Sequence, residues 1–236
     1  MNTDNMTISG ETIDYGPCAF MDHYNPKTVF SSIDKLGRYS FANQAPIIKW
    51  NLSRFAECLI PLIDKNEDTA IKIATEIIDN FEKIYEVKWL NMMRDKLGLF
   101  GENTNDKELI NNLLSWMENN KADYTNTFCY LMNIRVSNSE IYNDKSFINL
   151  LDVWKKRSLM NNGSKEKQLD IMLNVNPSVI PRNHKVEEAL TSANDDDLKV
   201  MNKLLSVLDK PYSNQKDIEE YQSPSGNKEY QTFCGT

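Results

Sequence analysis

Asp4 and Asn5 stand side by side near the start of the chain, and Asp14 opens the tetrapeptide Asp14-Tyr15-Gly16-Pro17. These residues offer hard oxygen donors. Mg²⁺ prefers such donors and is usually held by one or two protein side chains together with substrate phosphates and water. The Asn5 amide oxygen and the Asp14 carboxylate would orient an ion of this kind and leave positions open for the phosphate oxygens of a nucleotide triphosphate. Asp4 would accept the proton of an incoming hydroxyl, and Gly16 supplies backbone freedom beside the ligand. Asp, Asn and Gly are also the ordinary residues of turns, so this spacing taken alone favours plain loop chemistry.

A longer string changes that balance. In protein kinases a base Asp precedes a metal-binding Asn, and the Asp of an Asp-Phe-Gly triplet lies further along. Asp14-Tyr15-Gly16 reads as a variant of the triplet. The string from Met1-Asn2-Thr3-Asp4-Asn5-Met6 through Thr12-Ile13-Asp14-Tyr15-Gly16-Pro17 continues by Phe20, Asp22, Tyr24 and Pro26 to Gly37-Arg38-Tyr39-Ser40-Phe41 and Asn43-Gln44. Trp50-Asn51-Leu52, Arg54, Ala56, Asn176-Pro177, Arg182-Asn183 and the terminal Cys234-Gly235-Thr236 extend it over nearly the whole chain. It closely resembles the selenoprotein O family, also called the YdiU family, of pseudokinase-fold protein adenylyltransferases.

The resemblance implies a transfer of AMP from ATP to Ser, Thr or Tyr hydroxyls of proteins, with pyrophosphate released. Asp4 would be the proton acceptor, Asn5 and Asp14 the ligands of Mg²⁺ or Mn²⁺, and Asp14 a contact to the nucleotide as well. The expected fold is mainly α: a protein-kinase-like C-lobe with a short β-hairpin and metal-binding loop near the N-terminus, a helical bundle extension, and no N-lobe. Residues 1–40 would carry the catalytic loops and the activation-segment equivalent, 41–222 the helical lobe, and 223–236 a flexible tail. The family's glycine-rich loop and phosphate-binding Lys lie upstream of the Asp-Asn pair, and neither G-x-G-x-x-G nor a Walker string occurs in this sequence. The chain alone is therefore expected to bind ATP poorly and to transfer AMP undetectably, either as a truncated copy or as a piece that joins a separately encoded N-lobe. A non-catalytic helical binding module derived from such an enzyme is the second reading.

Composition narrows the class further. A net charge of −7 argues against a general nucleic-acid or anionic-membrane partner. No run approaches the ~20 apolar residues that span a bilayer, and the polar start is no secretory signal. Cytoplasm is the default, or an organelle if a targeting segment is missing. Cys18, Cys58, Cys129 and Cys234 lack C-x-x-C spacing, and only His23 and His184 stand beside them, which argues against zinc. Cys58 and Cys129 sit in apolar surroundings and read as buried thiols. In some family members a terminal Cys pairs with one in the activation segment. That partner's position falls at Phe30 here, which leaves Cys18 as the nearby substitute, though an unpaired Cys18 suits a reducing compartment better. His23 reads as a surface or packing residue, and Asp195-Asp196-Asp197 as a solvated helix start.

These residues must be positioned by helices. Met6-Thr7-Ile8 and Glu11-Thr12-Ile13 are expected to pair around Ser9-Gly10. Beyond Asn43 the apolar period becomes helical. Trp50, Phe55, Leu59 and Leu62 mark a helix that ends near Asp64. A single longer helix is expected from Asn66 to Gly98, with Ile71, Ala74, Ile77, Ile78, Phe81, Ile84, Tyr85, Lys88, Trp89 and Met92 on its core stripe. Asn105 with Glu108 resembles a capping box ahead of Leu109, Leu113, Trp116 and Met117. Further helices are expected over 124–132, 147–154, 168–173, 186–193 and 198–208. Arg182-Asn183 is expected to brace the activation segment or the floor of the active site.

Overall fold

A computed structural model describes residues 3, 6–11, 18–134, 136, 139–160, 164–225 and 230. It is mainly helical, and an isolated antiparallel bridge joins His23 and Asp123. The first run of the expected hairpin ends in a turn, with Gly10 N–H on Thr7 O at 3.3 Å and Gly10 at φ +71°. Thr12 and Ile13 lie outside the described residues.

The chain divides into two compact units: residues 1–19, 26–89 and 231–236, and residues 20–25 with 90–230. In the first, α1 (Gln44–Ile63) packs on α2 (Glu67–Asp79). Pro46 falls in the first turn of α1, where its missing N–H costs nothing, and the helix stops at extended Asp64. Asn66 caps α2, its side chain accepting the Thr69 N–H at 2.9 Å. The two buried residues of α2, Ala70 and Ala74, are small and one turn apart, so the neighbouring backbone can approach closely.

The single helix expected from Asn66 to Gly98 is instead two, α2 and α3 (Phe81–Lys96), separated at Asn80. Asn is a weak helix former, and Asn80, with ψ flattened to −12°, turns its N–H to Glu76 O and Ile78 O. The stripe assigned to this stretch is only partly core. Ala74 is buried, but Ile77 is 66% exposed, and Ile71, Ile84, Tyr85 and Met92 are exposed as well. Cys58, expected to be buried, is an exposed thiol on α1 that donates to Arg54 O at 3.4 Å.

In the second unit α4 (Asp106–Asn119) buries Leu109, Ile110, Leu113, Trp116 and Met117, as its spacing predicts. The expected capping box does not form, because the Asn105 side chain makes no cap bond. Buried Asp106 takes over the helix start, accepting Asn103 N–H at 3.0 Å, Arg94 Nε–H at 2.7 Å and Arg157 Nε–H at 2.7 Å. Burial pushes its carboxyl up, but the hydrogen bonds from Arg157, Arg94 and the Asn103 N–H outweigh this and hold it below the usual range. One carboxylate thus ties α4 to α3 and to α6 (Lys145–Leu159).

Aromatic contacts fill the space beside this clamp, with ring centroids 4.4 Å apart for Trp116 and Phe147 and 4.1 Å for Tyr130 and Tyr142. Two indoles find acceptors: buried Trp116 donates to Asp144 and half-buried Trp154 to Leu97 O, each at 2.9 Å. After α5 (Tyr124–Leu131) and α7 (Lys165–Val175), the helices α8 (Asn183–Asn194), α9 (Lys199–Leu208) and α10 (Glu219–Gln222) close a second apolar cluster. It contains Val179, Ala189, Leu204, Val207, Ile218 and Tyr221.

Candidate functional site

Asp4, Asn5 and Asp14, together with Tyr15, Gly16 and Pro17, lie outside the described residues. The segment that follows them is defined in detail. Within the second unit Phe20–Asn25 is fastened at three successive points.

Asn183, the first residue of α8, holds Phe20 as a neighbouring strand would: its amide nitrogen donates to Phe20 O and its amide oxygen accepts Phe20 N–H, both at 2.8 Å. Two residues on, Asp22 meets Arg182 Nη1 at 2.7 Å, while its other oxygen accepts from Ser225 N–H at 3.0 Å and Ser225 Oγ at 3.2 Å. The bridge at His23 then sets Tyr24 N–H on Ala122 O at 3.0 Å and Tyr124 N–H on Asp22 O at 2.9 Å. The rings of Tyr24 and Tyr124 stack at 5.7 Å, and burial pushes both phenols up, so they stay protonated.

Arg182 is the centre of this arrangement and has no exposed surface. Besides Asp22 it reaches Asp123 through Nη1 at 2.7 Å and Nη2 at 3.2 Å, and Gln222 O at 2.6 Å. A charge taken this far from water persists only when paired and hydrogen-bonded. Burial works against the guanidinium charge, but the carboxylates of Asp123 and Asp22 more than offset it, so Arg182 remains protonated. Asp123 does double duty, since Oδ1 also accepts Asn126 N–H at 2.7 Å and caps α5. The sequence points to Arg182 and Asn183 as a brace. It gives no signal for Asp123, Gln222 or Ser225, because Asp123 and Gln222 reach Arg182 from 59 and 40 residues away and Ser225 reaches Asp22 from 203.

Lys96, at the end of α3, is a second perturbed group. Its ammonium lies 4.4 Å from the Phe128 ring centroid and 5.4 Å from that of Tyr124, and burial lowers its pKa to about 8. The neighbouring Cys129 is fully buried, as expected, and burial pushes its thiol up to about 12, far from a reactive thiolate. His184 Nδ1 is buried without a hydrogen-bond partner among the described residues, and burial lowers the pKa of the ring. His23 is half-buried. Cys18 is an exposed free thiol, and Cys234 lies outside the described residues. Asp195, Asp196 and Asp197 are exposed between α8 and α9, where Asp197 accepts Lys199 N–H at 3.0 Å. No helix among the described residues is long and apolar enough to cross a membrane.

Comparison with known proteins addresses the chain as a whole. The family model described as protein adenylyltransferase SelO matches residues 1–209. A protein nucleotidyltransferase YdiU from Pelagibacter ubique (strain HTCC1062) is 61% identical over 238 residues, covering 100% of this chain and 49% of the relative. Proteins of the same name from Alkaliphilus metalliredigens (strain QYMF) and Clostridium beijerinckii (strain ATCC 51743 / NCIMB 8052) are each 50% identical over 239 residues, again covering all of this chain and 49% of their own length. The chain thus spans about half the length of the curated relatives it matches. With a match from its first residue to its 209th, this chain belongs to the SelO family of protein adenylyltransferases.

Proposed function

We propose that this chain carries the metal- and proton-handling part of a protein adenylyltransferase that moves AMP from ATP to a Ser, Thr or Tyr hydroxyl of a protein. The observation that carries this reading is the family match, which runs through Asp4, Asn5 and Asp14 with the acid, amide and acid all present.

The donor set suits the chemistry. An amide oxygen and a carboxylate are the hard ligands that Mg²⁺ or Mn²⁺ takes, and two protein ligands leave positions for phosphate oxygens and water. Asn5 and Asp14 would hold the ion, which when bound neutralises phosphate charge and orients the triphosphate. Asp4 takes the proton of the accepting hydroxyl. The hydroxyl oxygen then forms its bond to the α-phosphorus as the bond from that phosphorus to pyrophosphate breaks. Asp14 also touches the nucleotide. Nucleotidyl transfer depends chiefly on positioning and charge stabilisation, which these donors would supply.

Within this proposal the glycine-rich loop and phosphate-binding Lys belong to the half of the relatives that the chain does not match, so the chain alone transfers AMP undetectably. The test is ATP labelled at the α-phosphate against ATP labelled at the γ-phosphate, with the chain fused behind the unmatched half of the Pelagibacter ubique relative. Label should reach protein from the α-phosphate only, and Asp4→Ala or Asp14→Ala should abolish it. Transfer of γ-label, or α-label that survives Asp14→Ala, overturns the proposal. A well-folded fusion with no transfer at all would favour a non-catalytic helical module.

A further inference from the structure

The chain is acidic as a whole, with a net charge of −7, yet between Pro26 and Ala56 it carries Lys27, Lys35, Arg38, Lys49 and Arg54 against a single acid, Asp34. Two of these cations share one exposed aromatic ring. The Arg38 guanidinium carbon lies 4.8 Å from the centroid of the Trp50 ring and 5.7 Å from that of Tyr39, and the Arg54 carbon lies 5.4 Å from the Trp50 centroid. Trp50 is 40% exposed and the Arg54 side chain 46% exposed.

The loop that presents Arg38 is built to hold it there. Asp34 spends both carboxylate oxygens on the backbone, accepting Arg38 N–H and Tyr39 N–H at 2.8 Å each. Gly37 adopts φ +67°, and its carbonyl accepts from Asn43 Nδ2 at 2.9 Å. Gln44 Nε2 donates to Tyr39 O at 2.7 Å, joining the loop to α1. Asp34 is therefore committed to shaping the turn, and Lys49 is answered by Asp79 at 3.7 Å and Glu82 at 2.8 Å. Arg54 pairs with Glu57, whereas Arg38 meets no carboxylate among the described residues. A guanidinium laid against an aromatic ring keeps its N–H groups in the plane of its own fork, free to bind a carboxylate in bidentate fashion. Little rotamer entropy remains to be lost on binding.

We infer that Arg38, Arg54 and Trp50 form a docking site for an acidic polypeptide segment, and, resting on the adenylyltransferase reading, that the segment belongs to the protein substrate near its accepting hydroxyl. Charge complementarity favours an acidic partner. The surroundings favour a polypeptide over a free phosphate or nucleotide: Ile33 at 59%, Leu36 at 96%, Phe41 and Phe55 are exposed in the same stretch and offer apolar contact that a small anion has no use for. An isolated anion would also gain little at so exposed a place, where a single ion pair contributes ~1 kcal/mol or less.

The test uses the full chain and three probes: a short peptide of Glu and Leu containing one Ser, its counterpart with Lys for Glu, and inorganic pyrophosphate. Binding of the acidic peptide should change the fluorescence of Trp50, weaken as salt is raised, and fall about tenfold in the double variant Arg38→Ala/Arg54→Ala. The change should vanish in Trp50→Phe. All three side chains are exposed, so circular dichroism should show the variants folded. Equal binding of the Lys peptide, an unaltered affinity in the double variant, or a signal that survives Trp50→Phe overturns the inference. Full displacement of the peptide by pyrophosphate overturns it too, in favour of a phosphate site. Because binding is read without ATP, peptide capture by a chain whose fusion transfers no AMP would leave the docking site standing while the enzymatic reading falls.

Discussion

Arg182 shows how a single buried charge decides local structure. Removing its guanidinium while Asp22 and Asp123 remain leaves two carboxylates out of water without a cation. Arg182→Met should therefore cost ~3–5 kcal/mol in a urea titration, whereas Asn183→Ala, which frees one backbone donor and one acceptor of Phe20, should cost ~1–3 kcal/mol. Similar small losses for both would mean that the clamp carries no strain of charge burial. Lys96 gives a prediction in pH. Its folded pKa is about 8 against 10.5 for the free side chain. Between those values the unfolded chain holds a proton that the folded chain has released, so unfolding becomes harder as pH rises. Relative to Lys96→Met, the native protein should gain up to ~3 kcal/mol between pH 8 and 10.5. A flat difference across that window would place the ammonium in water. The metal-binding and proton-accepting roles proposed for Asp4, Asn5 and Asp14 rest on their chemistry and the family pattern, and the three residues lie outside the described ones. The clamp partners were not legible in the sequence, since nothing local in Asp22 or Asp123 marks them as neighbours of Arg182, or in Ser225 as a neighbour of Asp22.

At the level of elements, periodicity located the helices well where one face is truly buried. Leu109, Leu113, Trp116 and Met117 repeat at helical spacing and all are buried on α4. The same reasoning overran the break at Asn80 because the apolar period continues across it, and a single residue with flattened ψ leaves no trace in a hydrophobic pattern. It also overestimated burial, since α2 packs through Ala70 and Ala74, whose small size carries less weight in such a pattern than exposed Ile77. The capping box was a fair reading of Asn105 and Glu108, but Asp106 with two arginines is the stronger interaction. Gly98, expected as the end of a helix, does more than end it. Its φ is +61°, and a Cβ there would come within 2.5 Å of Gln168 Cγ and 2.9 Å of Met172 Cγ on α7. Gly98→Ala should lower stability by ~1–3 kcal/mol, through backbone strain and overpacking together. Thermal unfolding checks this, and an unchanged midpoint would show that α7 yields freely.

For the whole molecule, charge is divided in a way that its total conceals. The acidic total of −7 argues against a general affinity for polyanions, yet the sequence from Lys27 to Arg54 is locally cationic, with Lys49 paired to Asp79 and Glu82 and Arg54 to Glu57. The central claim is that Asn5 and Asp14 share a divalent ion with a nucleotide, and it is tested most directly by titrating Mn²⁺ into the fused protein with a non-hydrolysable ATP analogue while following the free ion by electron paramagnetic resonance. The account predicts tight nucleotide-dependent Mn²⁺ binding that Asn5→Ala and Asp14→Ala each weaken at least about tenfold, the loss of one charged or polar ligand, with Asp4→Ala still holding the ion. Undiminished Mn²⁺ binding in Asp14→Ala would contradict it.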